Sequence, residues 1–163
     1  MVCNDISLSV RLLLLCAVTA LTSCAGTTAR PVSLSGTYVG NAAQSVMLPG
    51  ERAPRDLLFV VEDNGAQLKT VQSFTAPSGG TVRLIWDGEC DGKARPVQGA
   101  APPGIQLSCQ RSADGALINT VSGEDWSYVE TCMLESKTRL TCKGSMPDDK
   151  GVAQPFSYAF DRK

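Results

Sequence analysis

Apolar and polar residues alternate in short runs along most of this chain, and turn signals separate the runs. Asp56 to Glu62 (DLLFVVE) is apolar and β-prone. Asp63-Asn64-Gly65 follows it, and Asn-Gly is a strong hairpin signal because both residues tolerate positive φ. Ala66 to Phe74 reads as the return strand. Over Thr81 to Trp86, Val82, Leu84 and Trp86 fall on one face, since strand side chains alternate with period two. Ile105, Leu107 and Cys109 alternate in the same way. Ser112 to Gly115 is a turn that leads into a strand over Ala116 to Val121. Strands over Ser127 to Glu135 and Arg139 to Lys143 flank a three-residue turn at Ser136-Lys137-Thr138, and Gln154 to Phe160 closes the series. Short strands at a spacing of roughly 8–12 residues predict an all-β fold: an antiparallel up-and-down β-barrel or sandwich of about 8–9 short strands. Closure into a barrel removes the exposed edges that such a domain must otherwise manage.

The N-terminus breaks this pattern. Arg11 precedes a continuous apolar block from Leu12 to Leu21, too short for a bilayer core that needs roughly 20 residues. A positive charge, a short apolar run and then small residues form the pattern of a helical, cleaved secretory signal. Leu21-Thr22-Ser23-Cys24 resembles the bacterial lipobox, an aliphatic residue and two small residues before a cysteine. That resemblance implies cleavage before Cys24, a diacylglyceryl group on its thiol and an acylated amino terminus. Ala25, in place of an aspartate, resembles an outer-membrane sorting signal. The expected organisation is a signal peptide over 1–23, a lipidated cysteine and short tether over 24–33, and one antiparallel β domain over 34–163. Two or three acyl chains anchor such a protein almost permanently, at about 0.8 kcal/mol per buried methylene.

Cleavage leaves 140 of the 163 residues, an ordinary size for one domain. The formal net charge is −1, with no basic stripe to suggest nucleic acid. Cys3 and Cys16 depart with the signal and Cys24 carries lipid, which leaves Cys90, Cys109, Cys132 and Cys142. An even number in an exported chain favours two disulfides, and four cysteines allow three pairings. Strand phase favours Cys90–Cys109 and Cys132–Cys142: Cys132 and Cys142 share a face with Leu134 and Leu140 across the turn, Cys90 is in phase with Trp86, and Cys109 with Leu107. The spacings match no zinc site, and no metal or cofactor is expected.

The chain contains no histidine, which removes Ser-His and Cys-His nucleophile pairs and the commonest general base. Asp87, Glu89 and Asp91 alternate at a strand end, but a paired-carboxylate site needs two of them across a cleft, and a solvated edge is the plainer reading. Glu124-Asp125 reads as a turn, and Asp148-Asp149 lacks the spacing of a calcium loop. A non-catalytic protein is expected. If the barrel encloses a cavity, Trp86, Trp126 and Tyr128 are the residues expected to meet a ligand.

Gly36-Thr37-Tyr38 with Asn41 and Ser45, Asp91-Gly92-Lys93 with Pro96, Val97 and Gly99, and Phe160-Asp161-Arg162 together resemble the motifs of a largely uncharacterised family of small exported bacterial β-domains. Tyr38 stands where that family usually has tryptophan, and the cysteines are additional. The resemblance implies a calycin-like or lipocalin-like barrel and transfers no function. The functional expectation is a lipid-anchored envelope lipoprotein on the periplasmic side of the outer membrane. It would bind an envelope component or protein partner, or alternatively act as a lipocalin-like carrier or sensor of a small apolar ligand. An interior filled by large side chains favours the first, and an open lined cavity the second.

Overall fold

At Asn64-Gly65 the chain reverses as its sequence predicts: Gly65 takes φ 99°, and its amide donates to Asp63 Oδ1 at 2.9 Å. The strands on either side pair with Asp63 opposite Leu68. The computed structural model describes residues 32–163. The expected signal peptide, the lipobox with Cys24 and all but the last two residues of the expected tether lie outside the described residues.

Eleven strands follow in order: β1 (Gly36–Gly40), β2 (Arg55–Asp63), β3 (Gln67–Thr75), β4 (Thr81–Glu89), β5 (Arg95–Pro96), β6 (Gln98–Gly99), β7 (Gln106–Arg111), β8 (Leu117–Ser122), β9 (Ser127–Ser136), β10 (Arg139–Pro147) and β11 (Ala153–Arg162). A single 3-10 turn, Ala42–Gln44, follows β1. One sheet runs β5-β7-β8-β9-β10-β11-β1-β2-β3-β4-β6, and its neighbours are antiparallel. The two ends of this order, β5 and β6, are consecutive in the chain with Val97 between them. The sheet therefore curls round on itself into a nearly closed barrel, and the sandwich alternative is set aside.

The strand count exceeds the expected 8–9 because of this seam. The Asp91-to-Gly99 stretch reads as a turn in sequence, yet it is also a bridging strand. Arg95 and Pro96 pair with Leu107 and Gln106 on one side, while Gln98 and Gly99 pair with Ile85 and Leu84 on the other. Gly99 sits at φ 93°, where a Cβ would lie 2.2 Å from the Arg83 carbonyl oxygen, so this approach requires glycine. Cys90–Cys109 staples the same seam, the Gly92 amide donates to the Cys109 carbonyl at 2.8 Å, and Trp86 Nε1 donates across it to the Leu107 carbonyl at 3.0 Å.

The second disulfide is Cys132–Cys142, directly opposed in the β9–β10 ladder. The hairpin reaches that register differently from expectation. Ser136 pairs with Arg139, so the loop is the two residues Lys137-Thr138, and a bulge at Arg139/Leu140 absorbs the extra residue. A three-residue turn and a two-residue turn plus one bulge give the same pairing beyond it.

The barrel has a packed end and a looser end. Leu34, Tyr38, Leu68, Trp86, Cys109 and Leu140 are among the buried core residues, and Leu34 caps the core from the arm preceding β1. The Leu34 amide donates to Asp63 Oδ2 at 2.8 Å, and Arg111 ion-pairs with Asp63, whose side chain is only 1% exposed. The strand directions place residues 41–54, 76–80, 100–105, 123–126 and 148–152 at the opposite end. No helix among the described residues is long and apolar enough to cross a membrane.

Candidate ligand cavity

At the end away from Leu34 the barrel holds a cavity of about 380 Å³. Inward positions of β2, β3 and β4 supply Leu57, Phe59, Gln72, Phe74 and Leu84, while β8, β9 and β11 supply Val121, Tyr128, Glu130, Tyr158 and Phe160. Pro54, Ala101, Pro102 and Trp126 come from the loops above them. The alternation that puts Leu84 and Trp86 inside thus also lines the cavity, since every second residue of a barrel strand faces the lumen. The space lies within the roughly 300–1,000 Å³ of small-molecule sites and is mostly apolar, as such sites are.

All three aromatics singled out in the sequence line this one cavity. Trp86 is 2% exposed and its indole N–H is satisfied by the Leu107 carbonyl, so it serves as wall and seam. Trp126 is 37% exposed at the mouth and stacks on Tyr128, with ring centroids 6.0 Å apart and planes 8° from parallel. Tyr128 meets Phe156 edge-on at 5.4 Å, and Phe156 meets Tyr158 at 5.3 Å, so the aromatics run continuously from the mouth down one wall.

The polar groups inside are few. Burial pushes the Tyr158 hydroxyl up to about 12 and the Tyr128 hydroxyl higher still, with the negative charges of Glu130 and Glu51 adding to both. Both phenols therefore remain protonated at ordinary pH. Glu130 is the only carboxylate among the described lining residues, and no lysine or arginine joins it. Its Oε1 accepts a hydrogen bond from Asn119 Nδ2 at 3.1 Å. Burial pushes its carboxyl above the ordinary value, and the Asn119 bond opposes that only in part. Glu130, Cys132 and Cys142 bring ligand-type atoms within 4.8 Å of one another, but both sulfurs are committed to the disulfide and cannot coordinate as thiolates.

Sequence reasoning passed over Glu130 and Asn119, although the signal was present. Glu130 has the same parity as Tyr128, Cys132 and Leu134, the face assigned to the core. An acid in the inward phase of a strand marks a site more sharply than the aromatics beside it.

The other acids are placed elsewhere. Asp87 and Glu89 project outward from β4, and Gln67 Nε2 donates to Asp87 at 2.7 Å. Arg95 holds Asp91 bidentately and drives its carboxyl far below the usual range, so this trio forms no acid–base pair. Glu124 and Asp125 are exposed in the β8–β9 turn. Asp148 Oδ1 accepts from the Lys150 and Val152 amides and so shapes a turn.

No protein-family model matches the chain, and no curated protein matches it. Among solved structures, lobster apocrustacyanin A1 is similar, with a TM-score of 0.49 and 11% sequence identity over 79% of this chain and 60% of that one. The chain thus spans less than two thirds of that protein's length.

Proposed function

We propose that the chain is a non-catalytic carrier or sensor of a small, largely apolar ligand, tethered by lipid on Cys24 to the periplasmic face of the outer membrane. The cavity of about 380 Å³ at one end of the barrel carries this reading. A barrel built only as a docking module would fill that volume with side chains, because unfilled apolar space costs stability. Here the packed end and the open end differ within one sheet. Both disulfides fit an oxidising compartment, in keeping with an exported protein.

The described chain begins beside the packed end, where Leu34 caps the core. With lipid on Cys24 that end would face the membrane and the mouth would face away. A ligand would then exchange with the aqueous compartment or with a partner rather than directly with the anchoring bilayer. The reading of a protein-docking lipoprotein draws on Val129 and Met133, 50% and 43% exposed on the outward face of β9.

Titration with the neutral apolar reporter N-phenyl-1-naphthylamine tests the carrier reading. Saturable fluorescence is expected, and it should be lost when the lumen is filled by Leu107→Trp. A linear, non-saturating signal would remove the carrier and leave the docking reading.

A further inference from the structure

Glu130 accepts a hydrogen bond from the buried Asn119, a role that requires no charge. The inward positions on either side of it, Tyr128 and Cys132, are aromatic or disulfide-bonded, and a glutamine or leucine at this site would pack without a charge. Its Oε1 takes one hydrogen bond from Asn119, and among the described residues Oε2 accepts none. Among the described residues no basic side chain lies in the cavity wall to neutralise it. A carboxylate in an apolar enclosure without a counter-ion is strongly disfavoured, and its natural complement is a cation brought from outside.

The surroundings suit such a cation. Trp126 and Tyr128 stack beside the mouth, and Tyr158 lines the same cavity. Aromatic faces carry negative quadrupole density and attract ammonium groups, most strongly where water is excluded. The negative charge of Glu51, on the loop before β2, also reaches Tyr128 and Tyr158. The rest of the wall is mostly apolar, with Leu57, Leu84, Leu107 and Val121 among its residues, and Thr70 and Gln72 add uncharged polar groups.

We propose that the cavity selects cationic amphiphiles: an apolar body fills the barrel, and an ammonium head sits against the Glu130 carboxylate among the Trp126, Tyr128 and Tyr158 rings. Long-chain carboxylates are disfavoured at the same place, since they would bring a second negative charge to an uncompensated one. The cavity's lift on the Glu130 carboxyl supports this, because an arriving cation would reverse it. The inference rests on the carrier reading and adds the sign of the ligand's charge to it.

The chain's two tryptophans, Trp86 and Trp126, both line the cavity, so their fluorescence reports on it directly. The full chain in dodecyl maltoside is titrated with three probes of equal chain length: octyltrimethylammonium, octanol and octanoate. The expected result is saturable quenching by octyltrimethylammonium at a Kd at least tenfold below that of octanoate, with octanol between. In Glu130→Gln the ammonium should lose that advantage, its Kd coming within about twofold of that of octanol. Octanoate binding as tightly as the ammonium, or a Glu130→Gln protein that keeps the preference, would overturn the inference and leave the carrier reading intact. No saturable response to any probe would overturn both.

Discussion

Arg162 lies over the ring of Tyr38, its guanidinium carbon 5.3 Å from the ring centroid, and its Nη2 donates to the Tyr38 hydroxyl at 2.9 Å. The same nitrogen donates to the Ser35 carbonyl at 2.8 Å, and the hydroxyl itself donates to the Leu34 carbonyl. Two strands from opposite ends of the described chain, β1 and β11, are thereby joined at the packed end with Tyr38 opposite Arg162. Gly36 makes the stacking possible, because a Cβ there would lie 3.0–3.1 Å from Arg162 and the tyrosine ring. Replacing Arg162 by alanine removes two charge-assisted hydrogen bonds and a cation–π contact together. A loss of about 2 kcal/mol in urea denaturation is expected, with ligand binding little changed because the pair is remote from the cavity.

The Asp63–Arg111 pair makes the packed end sensitive to acid. Burial alone would raise the Asp63 carboxyl, but the Leu34 and Gly65 amides and the Arg111 guanidinium outweigh it and hold it below the ordinary aspartate value. A depressed carboxylate contributes stability that is full above about pH 4, the unfolded value, and fades as pH falls through the folded one. Denaturation midpoints should therefore drop on acidification, and Asp63→Asn should flatten the drop. Arg111→Leu leaves a buried charge unpaired and should cost about 3–5 kcal/mol at pH 7.

Glu130 works in the opposite direction. Its carboxyl is held above the unfolded value, so below about pH 4 both states are protonated and it contributes nothing. As pH rises past that point the unfolded chain ionises first, and the fold loses stability until the folded carboxyl ionises too. Glu130→Gln should consequently be more stable than the parent at pH 7, and the gain should vanish near pH 4. Paired thermal melts at the two pH values measure this, and a variant that is less stable at pH 7 would contradict it.

A disulfide and the bridging strand are two of the fastenings of the seam. Cys90–Cys109 closes a loop with a sequence separation of 19, which corresponds to roughly 3 kcal/mol of chain entropy, and Cys132–Cys142, at 10, to slightly less. The Cys90→Ala/Cys109→Ala double variant should show the larger loss. It should also exchange the amides around Arg95 to Gly99 faster, as followed by hydrogen exchange.

Gly99→Ala tests the other fastening. A methyl group at φ 93° and 2.2 Å from the Arg83 carbonyl forces the bridging strand off β4. A cost of about 2 kcal/mol or more is expected, together with a weaker response to apolar probes, since Val97 beside it lines the cavity.

How far the sequence could be read follows from what each signal depends on. The β2–β3 hairpin and the opposed Cys132 and Cys142 rest on turn chemistry and period-two alternation, both local, and both appear in the structure. The Gly36-to-Ser45 and Phe160-to-Arg162 motifs also find a physical explanation. Asn41 donates to Asp161, Arg139 grips the same carboxylate, and Ser45 receives the Ala159 amide, so these polar residues join strands, while Phe160 of the second motif lines the cavity. The two-residue strands β5 and β6 were hidden because neither has the length to show a period. Their partners, Leu107 and Leu84, are distant in sequence or reached only by the bridge.

Local alternation along the chain was enough to establish a strand-built body and the opposition of Cys132 and Cys142, because those properties depend on neighbours a few residues apart; strand phase also favoured Cys90–Cys109, but those residues are 19 apart and barrel closure decides their meeting. Whether the sheet closes, which end is packed and whether space remains inside depend on summed side-chain volumes from strands far apart in sequence. For that reason the joining of β4 to β7 through Arg95–Gly99, and the enclosure of Glu130 in a mostly apolar lumen without a counter-ion among the described residues, emerged only when the eleven strands were assembled.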